Sequence, residues 1–163
     1  MSSPAANPYS AKLNGRDYRE VIAETPDLLT NLVEKIGPSG MDRSYAPDKW
    51  SASHILAHLA DCEIAFAFRL RQALAEPHHL VQPFDQDAWA SIYPGMNTGH
   101  ALEVFRLLRG WNLALVGALR PDAFSKPVSH PERGAMTFQT LLETMAGHDL
   151  NHLGQLETIA SQA

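Results

Sequence analysis

Four long segments of the chain repeat apolar residues at intervals of three and four, the spacing of a helix with one buried face. In the first segment, residues 16–36, the apolar stripe consists of Val21, Ile22, Leu28, Leu29, Leu32, Val33 and Ile36. The pair Thr25-Pro26 within it is also compatible with a fresh helix start, because proline is favoured at the first helical position. Gly37-Pro38 ends the segment. We therefore predict a first helix over residues 16–36.

The other three segments have the same periodicity and are likewise bounded by capping or turn-forming residues. The second covers residues 51–74, with Ser51 as its predicted N-cap. The third covers residues 98–119, and the fourth covers residues 137–160. Four such helices, each with one apolar face, predict an all-α four-helix bundle.

The connection between the second and third helices is unusually long. It spans residues 77–99, with one short helix expected over residues 85–90. Its turn-forming residues include Pro77, Pro83, Pro94 and Gly95. A connection of this length in a compact domain is often functional. No stretch shows the alternation of a convincing strand, and residues 127–136 form at most a short hairpin. The predicted bundle therefore has a long crossover connection and no substantial sheet.

Composition limits the classes of protein that the chain can represent. Its 163 residues are 45% hydrophobic and 19% charged, which fits one globular domain over residues 16–163. Residues 1–15 are predicted to be a disordered tail. The net charge of -5 argues against binding to nucleic acid, and no apolar run is long enough to span a membrane. With Cys62 as the single cysteine, no intrachain disulfide can form, so we expect a cytoplasmic protein.

Histidine is the residue type that points to a possible metal site, because the chain has eight histidines compared with thirteen lysines and arginines together. His148 and His152 are four residues apart on the fourth helix, so their imidazoles lie one turn apart on one face. That face also carries apolar residues and should point inward, where a shared metal ion would give both rings a partner. The alternative is a pair of hydrogen-bonded core or surface histidines, which this spacing alone does not exclude.

The second helix offers a third imidazole at His58, which lies among apolar residues. His54, one turn earlier, is nearer the exposed helix end and is interpreted as a surface or supporting residue. Asp61 could orient an imidazole, whereas Cys62 is more simply a small buried residue than a soft ligand. Three histidines would leave a metal position open for water, which is typical of catalytic sites. Asp61 and Asp85 are the candidates for a catalytic general base.

Several ordered motifs together resemble the DinB-like superfamily, which includes the YfiT-like metal-dependent hydrolases. The resemblance covers most of the chain from Trp50 onward. The matching motifs are Trp50-Ser51 with Ile55–Leu59, Phe84–Ala90, His130-Pro131 with Gly134 and Thr137, and His148–Gln155.

The resemblance implies an up-down-down-up course of the four helices. It also implies one divalent metal, most often zinc or nickel, on the residues here numbered His58, His148 and His152. Relatives often form homodimers, and some are transferases or isomerases that use a low-molecular-weight thiol such as bacillithiol or mycothiol.

Three functional hypotheses follow. The first is an enzyme in which a three-histidine metal site activates water or a small thiol, making the protein a hydrolase or a thiol-dependent S-transferase of a small-molecule substrate. The second is a metal-binding stress-response bundle without catalysis. The third is a bundle with a purely structural or interaction role, whose histidines bind nothing. The sequence does not distinguish the first two, and it selects neither substrate nor metal.

Overall fold

Four long helices make up most of the computed structural model, which describes residues 7–162. All four predicted helices are confirmed to within a few residues. The helices are α1 (Ser10–Leu13), α2 (Tyr18–Ile36), α3 (Ala52–Ala75), α4 (Gln86–Ala90), α5 (Ala101–Gly117) and α6 (Phe138–Ala160). Short 3-10 turns cover Pro38–Gly40, Tyr93–Gly95, Thr98–His100 and Pro121–Ser125. None of the helices in the described range is long and apolar enough to cross a membrane.

Side-chain caps fix the starts of the two helices that carry the candidate histidines. Ser51 accepts a hydrogen bond from the backbone N–H of His54 at the start of α3, as predicted. Thr137 accepts one from the N–H of Thr140 at the start of α6, and the Thr140 hydroxyl accepts one from the N–H of Thr137 in return. Such reciprocal bonds satisfy backbone donors that have no partner within the helix.

Helix α2 continues through Pro26 without the fresh start that the sequence allowed. Proline has no N–H, so the carbonyl of Ile22, four residues earlier, loses its helical partner. Arg109 of α5 replaces that partner, because its Nη1 donates to the Ile22 carbonyl oxygen at 2.9 Å. A side chain from a neighbouring helix thus compensates for the proline.

The predicted up-down-down-up course is confirmed by how the core divides into two clusters. One cluster joins the starts of α2 and α6 to the ends of α3 and α5. The other joins the ends of α2 and α6 to the starts of α3 and α5. Helices α2 and α6 therefore run one way, while α3 and α5 run the other way. The chain must pass from the end of α3 to the start of α5 along the length of the bundle, which explains the long crossover.

A small sheet lies beside the bundle, and it is larger than the expected hairpin. Strands β2 (Pro127–His130) and β3 (Gly134–Thr137) form that hairpin. The strand β1 (His79–Leu80), part of the crossover, pairs in parallel with β2. A two-residue strand carries too little alternation to be predicted from sequence. Its pairing ties the start of the crossover to the loop that precedes α6.

The N-terminal segment differs from the predicted disordered tail. Residues 1–6 lie outside the described residues, but from residue 7 onward the chain packs on α6 and forms α1. A Cβ atom on Gly147 would lie only 2.5 Å from the Cβ of Tyr9, so the absence of a side chain at Gly147 permits this close approach. The small, polar composition of the segment gave no periodic signal of this packing.

A buried ion cluster lies between α3, α5 and α6. The Arg109 guanidinium is fully buried and forms ion pairs with Glu63 at 2.6 Å and Asp149 at 2.7 Å. Asn112 donates to the second Glu63 oxygen. Two carboxylates and a carbonyl around one guanidinium satisfy its donors, which buried charges require. This cluster fixes α5 against both helices that carry the candidate histidines.

Candidate metal centre

Three imidazoles from two antiparallel helices meet between α3 and α6. His58 lies in the first half of α3, while His148 and His152 occupy successive turns of α6. The Nε2 atoms of His58 and His148 are 3.0 Å apart. One ring nitrogen from each of the three histidines lies within 4.8 Å of the others. The structure therefore brings together the three residues that the sequence offered as ligands.

Burial keeps these imidazoles neutral. His58 is 1% exposed and the other two are 6% exposed. Desolvation, with a smaller effect from His152, lowers the pKa of His58 from 6.5 to about 3. Burial is also the main cause of the lowered pKa of His148 and of His152. A neutral imidazole is the form that binds metal, so the rings need no deprotonation at neutral pH.

The orientation of His152 is fixed by a residue that the sequence analysis did not single out. The Nδ1 of His152 lies 2.8 Å from the Oε1 of Gln155, so in the neutral ring Nδ1–H donates to this oxygen. The proton on Nδ1 leaves the Nε2 lone pair free for a ligand. Gln155 in turn donates to the Tyr45 hydroxyl at 3.4 Å. The spacing of three residues between His152 and Gln155 on one helix was the available signal.

Trp50 covers the imidazoles from the side of the α3 N-terminus. Its ring is stacked on His152, with 13° between the planes, and its centroid lies 4.8 Å from that of His58. His54 points elsewhere, and its ring lies beside Tyr93. A half-buried indole against two ligand candidates limits the access of water on that side.

The donor set suits a divalent transition metal. Three neutral imidazole nitrogens facing one point are typical of zinc, nickel, copper or iron sites. Cys62 is also close, with its Sγ 3.5 Å from the Nε2 of His58 and 3.7 Å from that of His148. Burial raises the pKa of the Cys62 thiol, which keeps it protonated in the metal-free chain. The residues present therefore fit a metal held by three histidines.

Two cavities open beside the imidazoles. The first has a volume of about 210 Å³ and reaches His58 and His148. The second has a volume of about 330 Å³ and reaches His152. Tyr9 of the N-terminal segment and Gln86 of α4 line both cavities. The crossover thus contributes walls to the site, and so does the segment that had been predicted to be a tail.

The two carboxylates predicted as catalytic candidates have other partners. Asp61 accepts a hydrogen bond from the Tyr93 hydroxyl at 2.7 Å. Asp85 is the N-cap of α4 and accepts from the backbone N–H groups of Asp87 and Ala88. Neither carboxylate lines the two cavities described above. Asp87, in the first turn of the same short helix, does line the second cavity.

Comparison with known proteins gives one family. A profile described as the DinB superfamily matches residues 22–156. The chain is 25% identical to "Putative metal-dependent hydrolase OB0782" of Oceanobacillus iheyensis, over 86% of this chain and 83% of that protein. It is 24% identical to "Putative metal-dependent hydrolase YfiT" of Bacillus subtilis, over 86% of this chain and 81% of that protein.

Solved structures share the fold. The structure of YfiT from Bacillus subtilis, described as having an unusual four-helix bundle topology, superposes with a TM-score of 0.81 and 23% identity. The match covers 89% of this chain and 85% of that one. A mycothiol-dependent maleylpyruvate isomerase superposes with a TM-score of 0.68 and 14% identity, over 96% of this chain and 63% of that one.

Proposed function

The chain belongs to the DinB superfamily, and we propose that it is a metal-dependent hydrolase of a small-molecule substrate, with His58, His148 and His152 holding one divalent transition metal. One observation carries the proposal. Three buried, neutral imidazoles converge beside two cavities, a costly arrangement unless the ring nitrogens gain a common partner. The names of the curated relatives point to the same class of enzyme.

The residues around the imidazoles have separate tasks in this proposal. Gln155 holds the His152 ring in the tautomer that presents Nε2. Trp50 excludes water from one side of the rings. A bound ion of this kind supplies Lewis acidity, which makes a water molecule or a small thiol nucleophilic near neutral pH. The cavities hold the substrate next to that nucleophile, and zinc and nickel are the metals that we would test first.

A thiol-dependent S-transferase is the second candidate. Its support is the fold shared with a mycothiol-dependent isomerase, together with a site design that serves a thiol as well as water. A metal-binding stress-response bundle without catalysis is the alternative to both. The cytoplasmic location and the homodimer stay predictions, as do the catalytic roles considered for Asp61 and Asp85.

Metal content per chain tests the proposal directly. We would purify the protein without a histidine tag, incubate it with zinc or nickel, remove unbound metal, and measure the bound metal by mass spectrometry. We expect about one ion per chain, and a large loss in His58→Ala, His148→Ala and His152→Ala. His54→Ala is the matched control, because this histidine lies one turn before His58 on the same helix but faces Tyr93.

Each result has a defined meaning. A wild-type chain without metal would contradict the proposal, as would equal metal loss in the His54 variant. If the metal binds as expected, hydrolysis of ester and amide libraries is measured with and without added low-molecular-weight thiols. Turnover without thiol supports the hydrolase, turnover only with thiol supports the transferase, and no turnover in either supports the non-catalytic alternative.

A further inference from the structure

The cavity that reaches His58 and His148 contains two arginine side chains, although the chain as a whole has a net charge of -5. Arg69 comes from α3, three turns after His58, and Arg133 comes from the turn between β2 and β3. Neither guanidinium forms an ion pair with a carboxylate among residues 7–162. The two positive charges in this cavity would therefore both attract an anion that enters it.

Arg69 is held in place by the crossover. Its Nη2 donates to the Gln82 carbonyl oxygen at 2.8 Å, and its guanidinium lies 5.3 Å from the centre of the Phe84 ring. One hydrogen bond occupies one of the five N–H donors of a guanidinium. The side chain is therefore positioned by the protein while retaining donors for a ligand.

Arg133 and His130 add donors from the opposite part of the fold. The Arg133 side chain forms no hydrogen bond within the described part of the chain, so its whole fork is available. His130 accepts a hydrogen bond at Nδ1 from the N–H of Glu132, which places the proton of the neutral ring on Nε2. Arg69, Arg133 and His130 all line the same cavity.

The charges of the same two arginines act on His130. Burial is the first cause of its lowered pKa, and the charges of Arg133 and Arg69 act in the same direction. Glu132 opposes them. Glu132 is the one acidic residue among those that line this cavity in the described chain, and its side chain is exposed. The cavity therefore favours an anion next to the imidazoles.

We propose that Arg69 and Arg133 bind an anionic group of the small-molecule substrate, a carboxylate or a phosphate, in the cavity beside the three histidines. This inference rests on the proposed function only where it identifies the bound anion as part of a substrate. Guanidinium forks match the oxygens of both groups. Binding at this position would place the remainder of the substrate next to the metal ligands, so the two arginines determine which molecules are accepted.

Anion binding is measured by calorimetry on the full-length protein, both loaded with zinc and metal-free. The probes are succinate, inorganic phosphate and the uncharged succinamide. We expect succinate or phosphate to bind at least about tenfold more tightly than succinamide, and Arg133→Gln and Arg69→Gln each to weaken that binding by about tenfold. Arg120→Gln is the matched control, since it removes the same charge from an exposed side chain outside the cavity.

Two further variants separate charge from structure. Glu132→Gln should tighten anion binding, because it removes the opposing charge, and a merely structural role of the arginines predicts no such gain. Arg133→Lys should retain part of the affinity that Arg133→Gln loses. Arg69→Gln also removes the contact with Gln82, so its folding is checked by circular dichroism, and Arg133→Gln is the decisive variant.

The outcomes distinguish this proposal from the proposed function. Equal anion affinity in the wild type and in Arg133→Gln would overturn it, as would a lack of preference over succinamide. The dependence on Arg133 should persist in the metal-free chain, because the guanidinium is not a metal ligand. A chain that binds anions through Arg133 but never binds metal would contradict the metal-dependent hydrolase alone. A preference for succinate over phosphate, or the reverse, identifies the anion.

Discussion

Single side chains around the imidazoles determine how well the site can hold an ion. Gln155 is the residue to test, because it fixes the tautomer and the orientation of His152 through a 2.8 Å hydrogen bond. Gln155→Leu removes that partner and leaves the ring free to rotate or to exchange its proton. We expect zinc affinity to fall about 10- to 100-fold, the usual effect of losing a partner of a metal-binding histidine. The measurement is competition for zinc against a chelator of known affinity.

The control for this substitution is Gln139→Leu. Gln139 is half-buried near the start of the same helix and donates to Glu143, outside both cavities. Its loss should leave zinc affinity unchanged. Equal affinities for the wild type and Gln155→Leu would show that the hydrogen bond from His152 to Gln155 does not support metal binding.

Residues were predictable where their signal was local along one helix. His148 and His152 were predicted as ligands from their spacing of four residues. The role of Gln155 could be predicted only by knowing which ring nitrogen of His152 faces inward. Arg109 was missed because its partners lie on three other helices. For Asp85, the sequence analysis considered a catalytic role, and the structure shows hydrogen bonds that cap α4.

Among the elements, the N-terminal segment is the one whose packing most affects the site. Tyr9 lines both cavities and lies against Gly147 of α6. In Gly147→Ala, the new Cβ would lie 2.5 Å from the Tyr9 Cβ and 2.7 Å from the Tyr9 carbonyl oxygen, so the segment must move. We expect a loss of about 1–3 kcal/mol in the free energy of unfolding and faster proteolysis before α2. Urea denaturation and limited proteolysis measure the two effects.

Gly154→Ala on the same helix is the matched control. A Cβ at Gly154 meets no atom within 4 Å, so only the higher helix propensity of alanine should act, stabilising the protein by up to about 1 kcal/mol. Similar effects of the two substitutions would mean that the segment does not pack on α6 in solution.

Elements were predictable in proportion to their length and periodicity. The four long helices have apolar stripes and capping residues such as Ser51, so their predicted ends lie within a few residues of the observed ones. The strand β1 and the helix α1 have two and four residues, which is too few for a pattern to emerge. Their positions depend on distant partners: β2 for β1, and Gly147 for the segment that contains α1.

At the scale of the whole molecule, helix directions decide whether the site can exist. Antiparallel α3 and α6 place the first half of α3 beside the middle and second half of α6, so His58 meets His148 and His152. Periodicity predicts four amphipathic helices but gives no order around the core, so the up-down-down-up course came from the family resemblance alone. Substrate identity depends on cavities built from several elements, which no single segment encodes.

The stability of the whole chain should depend on pH because the metal-free bundle buries neutral histidines. Burial lowers the pKa of His58 from 6.5 to about 3, and His148 and His152 are lowered in the same direction. Below about pH 6.5, the unfolded chain takes up protons that the folded chain does not, so the free energy of unfolding falls with decreasing pH. His58 alone contributes a loss of about 2 kcal/mol between about pH 6.5 and about pH 5.

Urea denaturation in the presence of a chelator, at about pH 7.5 and about pH 5, measures this loss. His58→Leu removes one of the titrating groups, so its stability should fall less with decreasing pH than that of the wild type. His100→Ala is the control, because it removes an exposed histidine instead of a buried one. An identical pH dependence in the wild type and His58→Leu would mean that His58 is not buried and neutral in the metal-free chain. Such a ring would have to be protonated or solvated before metal binds, and metal binding would then have to assemble the site rather than fill it.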